Sequence, residues 1–281
     1  MRFRTEIETK LGHAISANSR LVLIGSCFAD NIGKKLCEHG FDVVHNPLGP
    51  LFNPLSTANA IESALDNECR PADNVLLHDN IWHAMDWASR YQNENRDKLQ
   101  SAVNKDLAIL KNAIARADTL FVTFGTAYVY FIAESGRIAG NCHKLPSGLF
   151  IRRRIGIEEI TERWAPLLKR LEDIGKRVVF TVSPVRHVAD GLHANNVSKA
   201  TLMLAVDRLG AEYFPAYEIV CDDLRDYRFY ASDLKHPSES AVDYIFEKFS
   251  DTYFTQETKE ISRARYADYL RAAHRPGNNQ L

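Results

Sequence analysis

Apolar and polar positions along the chain follow two periods. Short apolar runs at 20–25 (RLVLIG), 41–45 (FDVVH), 118–124 (DTLFVTF) and 176–182 (KRVVFTV) have the length and β-branched content of buried strands. After the first run, Phe28, Ile32 and Leu36 recur every four residues up to Gly40, which predicts strand, tight turn, helix and stop. Helical spacing returns in 56–67, 96–117, 157–175 (through Ile160, Trp164, Leu167, Leu168 and Leu171), 195–213 and 237–254, the last with Pro237 in its first turn. A possible hairpin follows Gly125, and the run 216–224 (AYEIVCDDL) reads as a fifth strand.

This alternation predicts an α/β fold, a mostly parallel five-stranded sheet with helices on both faces. Without repeats or a Pro/Gly-rich linker, residues 1–281 read as a single domain with its core in 20–255. Residues 256–281 read as an amphipathic C-terminal helix, through Ile261, Tyr266, Tyr269 and Leu270, followed by a flexible tail.

Composition narrows the function classes. A net charge of −1, with both signs scattered, gives no electrostatic footprint for nucleic acid or an anionic membrane. Arg152, Arg153 and Arg154 read as a solvated cluster opening a helix. The five cysteines (Cys27, Cys37, Cys69, Cys142, Cys221) contain no Cys-x-x-Cys pair, so neither a disulfide framework nor a zinc ribbon is indicated. With no apolar signal region at the start and no membrane-length run, a cytoplasmic location is expected.

In a parallel α/β sheet, ligands sit just past the carboxyl ends of strands, which directs attention to Ser26, Asn46 to Asn53, Gly125-Thr126 and Ser183. A serine at a strand-to-helix turn presents its hydroxyl at the sheet edge, where the helix N-terminus favours developing negative charge. Alone, such a serine is more simply a helix cap. A nucleophilic reading needs a base oriented by a carboxylate, and Asp233-x-x-His236 offers both, with Pro237 biasing His236 toward an extended conformation.

Neighbouring residues carry competing readings. Cys27 is an alternative nucleophile if its thiol is activated at the helix start, or a packed residue behind Ser26. His143, Cys142, His187 and His193 lack the short spacing of zinc ligands, so no metal and no cofactor is expected. Trp82, His83, Trp87 and Tyr91 suit either an acyl or sugar pocket or a core beneath a long loop. No Gly-x-x-x-x-Gly-Lys-Ser/Thr phosphate loop is present.

The string GSCFA at 25–29, with NPLGPLFNP (46–54), FGTAYVY (124–130), NCHKLP (141–146), TVSPVRHVADG (181–191), NNVSKATL (195–202) and YRFYASDLKHPS (227–238), resembles the GSCFA family, which is similar to the SGNH (GDSL-type) hydrolases. The resemblance implies a three-layer, flavodoxin-like SGNH-hydrolase fold. It implies Ser26 as nucleophile, His236 as general base and then acid, and Asp233 as the group that orients the imidazole. An SGNH oxyanion hole combines the serine amide, a glycine after the second strand, for which Gly49 is the candidate, and an asparagine after the third.

Here Gly125-Thr126-Ala127-Tyr128 replaces the asparagine-bearing block, leaving Asn141 or Thr126 to supply the missing donor. Asn46, Gly125, His143, Lys144, Arg186 and His187 are the expected substrate contacts. The resulting expectation is a serine-dependent ester hydrolase or O-acyltransferase acting on a small acyl ester, acetyl on a carbohydrate foremost. The alternative is a noncatalytic or weakly active small-molecule or glycan binding module on the same fold.

Overall fold

The structure, a computed structural model, describes residues 5–8, 13–66 and 74–273. The strands β1 (Arg20–Gly25), β2 (Asp42–His45), β3 (Thr119–Phe124), β4 (Arg177–Val182) and β5 (Glu212–Tyr213) form one parallel sheet in the order β2-β1-β3-β4-β5. This is the flavodoxin-like order, and it reverses direction between β1 and β3, the switch point past whose carboxyl ends ligands sit in folds of this kind. The long helices are α1 (Cys27–Glu38), α2 (Pro54–Leu65), α3 (Arg96–Arg116), α4 (Ile157–Asp173), α5 (Gly191–Arg208), α6 (Glu239–Tyr253) and α7 (Gln256–Ala273). None among the described residues is long and apolar enough to cross a membrane.

Period-two alternation sorts each strand between two cores. Val22, Ile24, Leu120, Val122, Phe124, Phe180 and Val182 join α2 to α5 on one face. Leu21, Leu23, Phe121 and Val179 join α1 and α6 on the other. The helices start where their caps dictate: Ser26, Asn53, Asn95 and Ser238 each accept a backbone N–H of the first turn. Trp164 locks α4 to α2 by filling the core and donating its indole N–H to Pro54 O at 3.0 Å.

Three local expectations need correction. Residues 216–224 are not a strand: Ala216–Glu218 is a helical turn continuing into a π-helical turn at Ile219–Leu224, and the edge strand is Glu212–Tyr213. The buried residues Ala216, Ile219, Val220 and Leu224 have helical spacing that a short apolar run conceals. Pro237 precedes the Ser238 cap of α6 and is not in its first turn. Arg152 to Arg154 lie in a strand, Phe150–Arg154, of a small sheet that includes Tyr128–Ile132 and Ile138–Ala139. Arg152 stacks on Tyr128, 4.4 Å to the ring centroid, and forks onto Asp190 at 2.5 and 2.7 Å, so it is not a merely solvated charge.

A second small sheet, Val75–His78, Ile81–Ala84 and Gln92–Asn93, meets the first around Met85, Ile132 and Ala139. Asn74 sutures the two, donating to Asp86 Oδ1 and Ile138 O, both at 2.7 Å. The helix expected after residue 255 is α7, which docks by stacking Tyr266 on His39 at 4.3 Å, but Tyr269 and Leu270 of the expected apolar stripe are exposed and Thr258 and Ser262 are the buried residues. The expected tail beyond residue 273, and Cys69, lie outside the described residues.

Candidate active site

Ser26 occupies the turn from β1 into α1 at the carboxyl end of the sheet, where it is buried. It caps α1 in an extended conformation, and its Oγ accepts the Phe28 N–H at 3.3 Å. Among the described residues its hydroxyl hydrogen has no acceptor, so the Oγ is held by a long, weak contact at a helix N-terminus.

The turn is rigidly enforced. Gly25 has φ +134°, and a Cβ there would lie 2.1 Å from Thr123 O on the adjoining strand. Asn46, at φ 38°, clasps the turn from both sides: Oδ1 accepts Gly25 N–H at 2.8 Å, and Nδ2 donates to Ser26 O at 3.2 Å. Gly125 closes the far side, where a Cβ would stand 3.2 Å from Ser26 Cβ.

Asp233 and His236 form a tight dyad at the same edge. Asp233 Oδ1 accepts the amides of Lys235 and His236 at 2.9 and 3.0 Å, with Leu234 at φ 57° turning the chain between them. His236 Nδ1 lies 2.6 Å from Asp233 Oδ2. The His236 amide, then its ring, then the Lys235 amide hold the Asp233 carboxyl well below the usual carboxylate range. An ionised acceptor assigns the ring hydrogen to Nδ1, leaving the Nε2 lone pair unprotonated.

A chain of contacts relates dyad and serine. Arg186 N–H donates to Lys235 O at 3.1 Å, tying the dyad loop to the loop leaving β4. His187 lies near His236 and meets Phe52 edge-on at 6.0 Å, while Phe52 O accepts the amides of Gly125 and Thr126 beside Ser26. Burial, reinforced by Lys199 and Arg152, lowers His187 to about 4, so it is a neutral imidazole.

The expected oxyanion donors are mostly engaged within the fold. Ser26 N–H donates to Thr123 O at 3.1 Å and Gly49 N–H to Asn46 O at 2.8 Å. Thr126 Oγ1 accepts Tyr128 N–H at 3.1 Å and pairs with Ser198 Oγ at 3.2 Å. The physical reason is local closure: 46–49 folds into its own turn, and the strand-end amides are taken by Phe52 O. Asn141 Nδ2 donates to Trp87 O at 3.4 Å, and Asn46 Nδ2 to Ser26 O; each amide nitrogen keeps a second hydrogen.

Of the other expected contacts, His143 is buried with Nε2 3.1 Å from Trp87 O, which removes it from substrate, while Lys144 is exposed. Arg186 stacks on Tyr230 and Tyr227, 4.0 and 5.2 Å to the ring centroids. His83, Trp87 and Tyr91 are core residues; Trp82 is half-buried under Arg96. Burial, then Asp30, raises the Cys27 thiol, which argues against an activated thiolate. No group of three metal-ligating side chains exists among the described residues.

Sequence reasoning missed three residues of α5. Asn195 Oδ1 accepts His187 N–H at 2.9 Å, Ser198 Oγ accepts Ala127 N–H at 2.8 Å, and Lys199 Nζ donates to the carbonyls of Gly125 and Ser183, both at 2.6 Å. Their signal was available: 195, 198 and 199 continue the buried stripe of Leu202, Ala205 and Val206, placing polar groups where a helix buries apolar ones.

A stability prediction arises here. His39, His143 and His187 are each lowered from 6.5 to about 4, burial being the largest cause. The unfolded chain therefore binds more protons than the folded one between these values, so stability is full above about pH 6.5 and falls toward pH 4. Thermal melts should show the midpoint dropping by roughly 10 °C across that window. A flat profile would mean that these rings protonate without loss of packing.

Among solved structures, the chain is similar to the psychrotrophic esterase EstA from Pseudoalteromonas sp., in a structure inhibited by monoethylphosphonate. Identity is 8%, the TM-score is 0.38, and the match covers 83% of this chain and 94% of that one. No curated protein matches the chain. Residues 20–249, spanning the whole central sheet and every element of the site, match the GSCFA family, and the protein belongs to that family.

Proposed function

We propose that the protein is a serine-dependent ester hydrolase or O-acyltransferase, with Ser26 as nucleophile and Asp233-His236 as its base. The observation that carries the reading is the 2.6 Å Asp233–His236 dyad, its loop tied to the edge where Ser26 lies at a helix N-terminus. His236 Nε2 takes the Ser26 proton as Oγ attacks the ester carbonyl. The tetrahedral oxyanion collapses, the alcohol leaves with the proton from His236, and water or an acceptor hydroxyl then attacks the acyl-enzyme. The second Nδ2 hydrogens of Asn46 and Asn141 are the available side-chain donors for the oxyanion.

The substrate is a small acyl ester, acetyl on a carbohydrate, for which Arg186, His187 and Asn141 offer polar contacts. Screening acetylated sugars for acetate release tests the reading: release by the intact protein and its loss in Ser26→Ala are expected. Equal release by the variant would remove Ser26 from the chemistry. A second reading, a glycan-binding module without turnover, is favoured by the engaged amides of Ser26, Gly49, Gly125 and Thr126. It predicts saturable sugar binding with no acetate released.

A further inference from the structure

Lys199 is fully buried, yet no carboxylate pairs with it among the described residues. Its neighbours are the Cys27 thiol on α1, the Cys221 thiol on the π-helical turn and the Tyr217 ring, 5.9 Å away, with His187 sensing its charge from the loop leaving β4. Beyond His187 stand Arg152, Asp190 and His236. An ammonium in such surroundings is costly, and uncharged groups or water can satisfy two carbonyls without that cost.

The two carbonyls define what the lysine holds. Ser183 N–H to Phe124 O, at 2.8 Å, continues the β3–β4 ladder past its named strands. The carbonyls of Gly125 and Ser183 then find no ladder partner, and Nζ bridges them at 2.6 Å each. Gly125 is also the residue packed on Ser26, so Nζ and the nucleophile both touch one glycine, Nζ at its carbonyl. Ser198, one residue earlier on α5, fastens the Thr126 hydroxyl and the Ala127 amide.

We propose that Lys199 is a positioning residue for Ser26, a buried cation that joins the carbonyl ends of β3 and β4 beneath the nucleophile and offsets the negative charge that forms there during attack. This rests on the nucleophile reading of Ser26. It also accounts for a donor-poor oxyanion site: charge supplied from below supplements the few free N–H groups. Deprotonation separates the two roles. A neutral amine still has two N–H groups for two carbonyls, so the clamp persists and only the charge is lost.

Burial lowers Lys199 to about 7, which places that loss within an accessible pH range. The test is the rate at which a fluorophosphonate labels Ser26 between pH 5.5 and 9.5, measured with thermal melts on the wild type, Lys199→Met and Lys199→Arg. The wild-type rate should fall toward high pH as Lys199 loses its proton. Lys199→Met should label about tenfold more slowly at the wild-type optimum, with no descending limb. Lys199→Arg, charged throughout, should hold its plateau to high pH.

A wild-type rate that never falls overturns the proposal even if neither variant folds. So does a folded Lys199→Met with the wild-type rate and profile. Absence of Ser26 labelling at every pH instead defeats the nucleophile reading, and this proposal with it.

Discussion

Replacing His236 with alanine is expected to lower kcat toward an activated acetyl ester by at least about 10⁴-fold with KM little changed, because the base acts in the transition state and not in binding. Asp233→Asn should cost about as much, since a side-chain amide no longer fixes the hydrogen on Nδ1 and leaves the wrong ring nitrogen facing the serine. Both side chains are about half exposed, 46% for His236 and 42% for Asp233, so neither change should move the thermal midpoint appreciably. Steady-state kinetics with melting curves make the check. Retention of wild-type kcat by either variant would mean that the dyad is a loop-stabilising feature. Because Asp233 is held well below the usual carboxylate range, acid inactivation should not follow protonation of this carboxylate.

The second large effect falls on folding. Gly25→Ala would force a methyl to within 2.1 Å of Thr123 O while requiring φ +134° of an L-residue. Because β1 and β3 are adjacent central strands in register at Gly25 and Thr123, neither side can yield. A loss above ~4 kcal/mol is expected, read as collapse of soluble yield or a large drop in denaturation midpoint. Gly136→Ala is the control: its φ is +66° but nothing lies within 4 Å, so about 1 kcal/mol is the expected cost. Similar midpoints for the two would contradict the close approach that shapes the nucleophile turn.

The central strands were legible because each is a continuous apolar run buried on both faces, and the helices because their apolar stripes match 3.6-residue spacing. Residues 216–224 misled because apolar residues at helical spacing within nine positions also satisfy a strand. The true edge strand, Glu212–Tyr213, is too short to leave a pattern. The place of Ser26 at the β1–α1 turn and the Asp233–His236 contact were readable from local spacing. The engagement of Thr126 was not, since it depends on where Phe52 O and Ser198 arrive from distant segments, and that of Gly49 rests on a local turn closing onto Asn46 O. Lys199 was hidden for a related reason: a lysine in a helix is ordinarily a solvated residue, and only its place in the buried stripe marks it as exceptional.

Whether Ser26 is an activated nucleophile is decided most directly by reacting the intact protein with a fluorophosphonate and mapping the adduct by peptide mass spectrometry. The account predicts one phosphonyl group on the peptide carrying Ser26, absent from Ser26→Ala and strongly slowed in His236→Ala. A folded wild-type protein that takes up no phosphonyl group, or takes it up equally without Ser26, would contradict it.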